Sequence, residues 1–283
     1  MISEAEVRRA AGTWGIDPMI VDLDYVLGCF LSQWSKEKTV AGMLFKGGTC
    51  LRKCYFPEYR FSEDLDFTAI EEVTLESAET GARSVVQRVQ DVFALDLSAA
   101  PLTVRTIRDS SGEISIDVRV YYRGPLRRTG APRAIRVHLS TGEFVGLPPS
   151  NRALLHSYGD KELIENARIA CYDLREIAAE KLRAVCGQRQ FAISRDVYDL
   201  HQLVAHKGIS LEDVSGILAP KFEARGLALE VVDPVAFAAR RDGYQRDWSR
   251  NLAHLLPSLE EPSFEEAWET AVELVSWVAS LAG

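Results

Sequence analysis

Asp64-Leu65-Asp66-Phe67 alternates carboxylates with apolar bulk over consecutive positions, and this alternation leaves the chain few conformations there. On a strand, period 2 puts both carboxylates on one face and Leu65 and Phe67 on the other. Two carboxylates sharing a face repel each other, and a bound divalent cation relieves both that cost and the upward pressure on one pKa. Shortly upstream lies Phe45-Lys46-Gly47-Gly48-Thr49. A glycine pair ahead of a helix lets backbone N–H groups approach a triphosphate closely. Glycine pair, same-face Asp-x-Asp and metal together point to phosphate chemistry. Taken singly, the glycines read equally well as a turn and the aspartates as strand-end solvation.

Ile114-Ser115-Ile116-Asp117-Val118-Arg119-Val120 alternates in the same way, with Ser115, Asp117 and Arg119 on one face. If this strand lies beside the Asp64/Asp66 strand, Asp117 becomes a third carboxylate over the same metals. Three carboxylates can hold two Mg²⁺ ions about 4 Å apart, one activating an attacking hydroxyl and one steadying a leaving pyrophosphate.

The remaining pattern predicts an α+β region followed by a helical one. Helices are expected at 4–13, 18–35, 49–55 and 75–94, with strands at 40–45, 61–70, 102–107, 114–122 and 133–139. Asp109-Ser110-Ser111-Gly112 reads as the turn-rich link of a strand pair. Pro148-Pro149-Ser150-Asn151 is the best boundary, dividing the chain into 1–149 and 150–283. Beyond it, helices are expected at 161–167, 172–187, 194–206, 211–219, 234–255 and 263–281.

A net charge of −8 on 283 residues argues against a generic coating of nucleic acid. The charge is uneven, however. Val118–Gly142 contains no acid but carries Arg119, Arg123, Arg127, Arg128, Arg133, Arg136 and His138. Such a strip fits one specific anionic partner, or simply a solvated arginine-rich hairpin. The five cysteines are scattered without a CxxC, the N-terminus lacks a signal pattern, and no apolar run is long enough to span a bilayer. These features favour a reducing cytoplasm and no membrane partner.

In the helix expected at 172–187, Leu174, Ile177, Ala178, Leu182 and Val185 share a stripe with Lys181 in its middle, while Glu176, Glu180 and Arg183 lie opposite. A lysine inside an apolar stripe either snorkels outward or meets a negative partner. In the next helix Asp196 projects within the apolar stripe, and Asp199 about 40° beyond its edge. Asp196 also suits a first helical turn on dipole grounds alone. Lys181 and Asp196 could meet.

Four motifs, in order, resemble the AbiEii/AbiGii family of nucleotidyltransferase toxins, which includes the MenT toxins. They are Lys46-Gly47-Gly48-Thr49-x-Leu51, Arg60-Phe61-Ser62-Glu63-Asp64-Leu65-Asp66, Glu176-Ile177-x-x-x-Lys181 and Arg195-Asp196-x-x-Asp199-Leu200. The resemblance implies a polymerase-β-type domain with a helical C-terminal domain that completes the active site. It implies Asp64 and Asp66 as metal ligands, Lys181 as a triphosphate contact and Asp196 as a catalytic carboxylate. Lys46, Gly47, Gly48 and Ser62 would line the nucleotide site, and in some members the residue equivalent to Ser62 is phosphorylated to silence the toxin. The reaction would move NMP from an NTP to an acceptor hydroxyl, foremost the 3′ end of tRNA, under control of a cognate antitoxin. Arg119, Arg123, Arg127 and Arg128 would hold the acceptor. Two alternatives remain: a small-molecule or protein hydroxyl as acceptor, favoured by the acidic net charge, and a nucleotide-binding regulator without chemistry, disfavoured by the intact Asp64, Asp66, Lys181 and Asp196.

Overall fold

A computed structural model describes residues 1–108, 114–189, 191–206, 208–257 and 262–282. The expected link at Asp109–Gly112 lies outside the described residues. The chain divides into two compact units, residues 1–142 with 149–171, and residues 143–148 with 172–283.

The first unit is built on a seven-stranded mixed sheet in the order β3-β4-β5-β2-β1-β7-β6. Its strands are β1 (Met43–Lys46), β2 (Asp64–Ala69), β3 (Thr103–Arg108), β4 (Ile114–Tyr122), β5 (Arg133–Ser140), β6 (Ser150–Ala153) and β7 (Arg168–Cys171). Helices α1 (Glu4–Trp14), α2 (Pro18–Trp34), α3 (Gly47–Cys50) and α4 (Leu75–Phe93) complete it. Asp17 caps α2 by accepting from the Met19 N–H, with Pro18 at the first turn where its missing N–H costs nothing. Thr74 and Ser77 form a reciprocal capping box on α4, which buries Ala78, Ala82, Val85, Val89 and Phe93 along one stripe.

The alternation at Asp64–Phe67 sets the central strand. Leu65 and Phe67 are fully buried. The Phe67 ring sits 5.4 Å from Trp34 of α2 and 5.0 Å from Phe45 of β1. Burial of one such side chain stabilises by roughly 1.5–3 kcal/mol. A one-residue slip would exchange these rings for the carboxylates, so the apolar face locks the register that exposes Asp64 and Asp66 together.

Two expectations need correction here. Strand β4 does not lie beside β2. Strand β5 stands between them, pairing parallel with β2 and antiparallel with β4. Asp117 is therefore two strands from Asp66, about 9.6 Å at the usual strand spacing. Alternation fixes which face a residue takes, but not which strand is its neighbour. The boundary at 149/150 is also displaced. Strand β7 pairs parallel with β1 at Phe45↔Cys171, and β6 pairs antiparallel with β7, so both belong to the sheet. The helix expected at 161–167 is only a 3₁₀ turn, Lys161–Leu163. Four-residue strands carry too little periodicity to be read from sequence.

The second unit is helical: α5 (Leu174–Arg183), α6 (Ser194–His201), α7 (Glu212–Glu223), α8 (Pro234–Ala238), α9 (Arg241–Asp247) and α10 (Phe264–Ser280). Helices α5 and α6 each continue into a wider π turn, at Ala184–Gln188 and Gln202–His206. The segment expected as one helix over 234–255 is instead α8, α9 and two short turns. Phe237, Tyr244, Phe264 and Trp268 cluster there, with Phe237 and Trp268 stacked at 4.8 Å. Glu176 and Arg183, expected opposite the apolar stripe of α5, are buried as well. Glu176 pairs with Lys221 of α7 at 2.7 Å and accepts from the N–H groups of Gly146 and Leu147. Arg183 and Arg225 pair with Glu143. These bonds tie residues 143–148 into the helical unit. Among the described residues no helix is long and apolar enough to cross a membrane.

Candidate active site

The turn from β1 into α3 is where backbone sterics select glycine. Gly47 has φ +78°, and a Cβ on it would stand 2.8 Å from Asp66 Oδ2. A Cβ on Gly48 would collide with the Arg60 guanidinium. The turn is fastened to the aspartate strand twice. Lys46 is the register partner of Asp66, and the Thr49 hydroxyl donates to the Asp64 carbonyl at 2.5 Å. Lys46 and Ser62 are buried.

The Asp64 and Asp66 side chains are 39% and 38% exposed, with Asp64 Oδ1 itself buried. Strand β5 supplies their nitrogen-bearing neighbours. Arg136 Nη1 stands 3.8 Å from Asp64 Oδ1, and His138 Nδ1 stands 4.0 Å from Asp66 Oδ1. His138 Nε2 in turn lies 2.9 Å from the Ser115 hydroxyl of β4. Arg136 and His138 entered the sequence reading only as members of the basic strip. Their i, i+2 spacing marks a shared face, but proximity to the aspartates depends on sheet order.

Asp117 is engaged elsewhere. Its Oδ2 accepts from Arg105 Nε at 3.0 Å and Arg119 Nε at 2.9 Å. The Asp117 hydrogen bond raises the pKa of Arg119 above the ordinary guanidinium value. Among the described residues, Asp64, Asp66 and Asp117 do not converge as a three-ligand group.

Beside Asp64 opens a cleft of about 310 Å³, lined also by Arg119, Tyr121, Arg133 and Arg136. A second cavity of about 240 Å³ is lined by Arg123, Arg127, Arg128 and Arg133. The loop around it is partly pinned. Arg123 Nη1 donates to the Arg128 carbonyl at 3.0 Å, and Arg128 contacts the Met19 sulfur. The Leu126 N–H donates to Asp22 at 2.9 Å, while burial raises the Asp22 pKa. Arg123, Arg127 and Arg128 are exposed.

In the helical unit Lys181 and Asp196 do meet. Lys181 Nζ bonds Asp196 Oδ1 at 2.9 Å and Asp199 Oδ2 at 2.6 Å, with side-chain exposures of 10%, 8% and 0%. Arg189 Nε adds a contact to Asp196 Oδ2 at 3.3 Å. Asp199, placed about 40° beyond the stripe edge by helical geometry, is the most buried member.

These motifs coincide with a family assignment. The family model described as "Nucleotidyl transferase AbiEii toxin, Type IV TA system" matches residues 29–270. The chain belongs to the AbiEii family. As an AbiEii protein it is a nucleotidyltransferase, and the family carries with it an NTP substrate, an antitoxin partner and a divalent metal. JHP933 from Helicobacter pylori shares the AbiEii chain's fold at 19% identity and TM-score 0.53, with 94% of each chain covered. MenT4, a nucleotidyltransferase toxin from Mycobacterium tuberculosis, matches at 22% identity and TM-score 0.48, covering 100% of this chain and 99% of its own. No curated protein matches the AbiEii chain.

Proposed function

We propose that this toxin moves NMP from an NTP to the 3′ hydroxyl of tRNA, with Mg²⁺ held by Asp64 and Asp66. The observation that carries the reading is the half-exposed, same-face Asp64/Asp66 pair with Gly47 packed against Asp66 and an arginine-lined cleft beside Asp64. The two carboxylates fit a hard cation, since both offer oxygen donors and both are partly solvated. When bound, Mg²⁺ lowers the pKa of an attacking hydroxyl and neutralises charge on the departing pyrophosphate.

The chain's own residues bind and orient. The Gly47-Gly48 turn brings backbone N–H groups toward phosphate oxygens without side-chain obstruction. Arg119, Arg133 and Arg136 line the cleft with donors suited to phosphate forks. Exposed Arg123, Arg127 and Arg128 extend the same charge and would hold an acceptor backbone without reading bases. Lys181 is assigned to the triphosphate and Asp196 to catalysis by family resemblance. A phosphate would share the Lys181 ammonium with Asp196 and Asp199. Ser62, two residues before Asp64, is a candidate silencing position, because a phosphate there adds charge of about −2 beside the carboxylates. Ser62→Glu is expected to leave little transfer activity. Equal growth inhibition by wild type and variant would remove that role.

The deciding experiment incubates the protein with Mg²⁺, each labelled NTP and total tRNA. Label on tRNA with one preferred NTP is the expected result. Label on protein or a small molecule, with none on tRNA, would favour the second acceptor reading, which the net charge of −8 supports.

A further inference from the structure

Cys50, Cys54 and Cys171 are scattered in sequence but converge in the sheet unit. Their three sulfur atoms all lie within 4.8 Å of one another, and all three residues are buried. Cys50 closes α3, and Cys54 follows four residues later in the π turn that continues it. Cys171 ends β7, where it is the register partner of Phe45 on β1. The group thus links the element carrying the Gly47-Gly48 turn to the neighbouring strand.

We propose that Cys50, Cys54 and Cys171 form a thiolate site for one Zn²⁺ ion, which fastens α3 to β7. Soft thiolates select zinc and similar d¹⁰ cations over the hard ions that carboxylates hold. Zinc–sulfur bonds of about 2.3 Å put ligating sulfurs roughly 3.8–4.0 Å apart, which suits the observed convergence. The Cys171 thiol also has two oxygen neighbours, to which it donates. Tyr55 Oη lies 3.6 Å and the Ser150 carbonyl 3.3 Å from Cys171 Sγ.

Charge also balances. Three thiolates with Zn²⁺ carry −1, and Arg152 supplies +1 beside them. Arg152 Nε donates to the Cys54 carbonyl at 3.3 Å, and its guanidinium stands 4.7 Å from the Tyr55 ring. Burial pushes Cys29 and Cys186 upward, as expected of thiols that only fill space. Loading during folding needs no open path in the finished molecule.

The test uses the full chain purified under reducing conditions. Intact mass under native conditions and elemental analysis are expected to show one zinc per chain. Co²⁺ exchanged for zinc is expected to give a thiolate-to-cobalt charge-transfer band. Cys54→Ser and Cys50→Ser, each confirmed folded by circular dichroism, should weaken Co²⁺ binding by at least about 100-fold. Cys29→Ser and Cys186→Ser should leave it unchanged. A folded wild type without the band, equal loss in the Cys29→Ser control, or a disulfide joining two of the three cysteines in the protein as isolated would each overturn the proposal. If both cluster variants unfold, the wild-type zinc content and cobalt band alone decide it.

Discussion

The two acidic clusters of this toxin are built on opposite principles. Asp64 and Asp66 are half-exposed, and Arg136 and His138 of β5 stand 3.8 and 4.0 Å away. Asp196 and Asp199 are buried, with one lysine ammonium at 2.9 and 2.6 Å from both. A half-exposed pair with distant partners accepts an incoming cation with little desolvation left to overcome. A buried pair around its own cation is already compensated, and removing either sign leaves uncompensated charge in a poor dielectric. The β2 pair is therefore arranged for chemistry at small cost to the fold. The α5–α6 cluster contributes to the fold whatever else it does.

The strongest way to break this contrast is Asp64→Ala. Transfer should fall on the order of a thousand-fold, since a lost metal ligand removes several kcal/mol of charge stabilisation. Thermal stability should hold within about 0.5 kcal/mol or rise, because like-charge repulsion is relieved and the Thr49 bond goes to the Asp64 backbone. Labelled-NTP transfer and a melting curve read both halves, and normal transfer would end the metal role.

Lys181→Met probes the other cluster. It leaves Asp196 and Asp199 buried without their shared ammonium, so a urea titration should show a loss of about 3–5 kcal/mol. Wild-type stability would mean that the cluster is dispensable to the fold. If Lys181 also reaches the triphosphate, the folded variant should show a raised KM for NTP; an unchanged KM would confine the lysine to structure.

Gly47→Ala sharpens the geometry around Asp66. Its left-handed backbone costs an alanine about 1 kcal/mol. The added Cβ also presses on the Asp66 carboxylate. A displacement of that kind should slow transfer about ten- to a hundred-fold. Gly142→Ala is the control, with a similar φ of +76° and nothing within 4 Å of the added Cβ. It should lose stability alike yet keep its rate, and equal rate losses would make the Gly47 effect one of stability only.

The smallest effect is expected from Arg127→Ala with Arg128→Ala. If these exposed side chains hold a tRNA backbone, binding should weaken alike for all tRNAs. The salt dependence should then flatten by about two units of slope. NTP affinity should barely move. Wild-type labelling of tRNA across a salt series would reduce the strip to a solvated hairpin.

Much of this was legible from local pattern. The alternation at Asp64–Phe67 determines the face of each side chain, because a strand has period 2 and one face must be buried. The long helices α2, α4 and α10 were legible over most of their lengths, with Asp17-Pro18 marking the start of α2. Gly47 was legible as a turn residue by its chemistry. Two consecutive amphipathic helices allowed Lys181 and Asp196 to meet, and the folded contact decided that they do.

Only the tertiary structure decided who stands beside whom. Sheet order put Arg136 and His138 next to Asp64 and Asp66 and added Arg105 of β3 to the Arg119 that already shares a strand with Asp117. It drew the short strands β6 and β7 into the first unit, and with Cys171 it brought three distant thiols together. The physical reason is one of range. Periodicity, capping and backbone sterics act over a few residues and are written in them. Strand neighbours and side-chain clusters depend on contacts between segments far apart in the chain, which no single segment records.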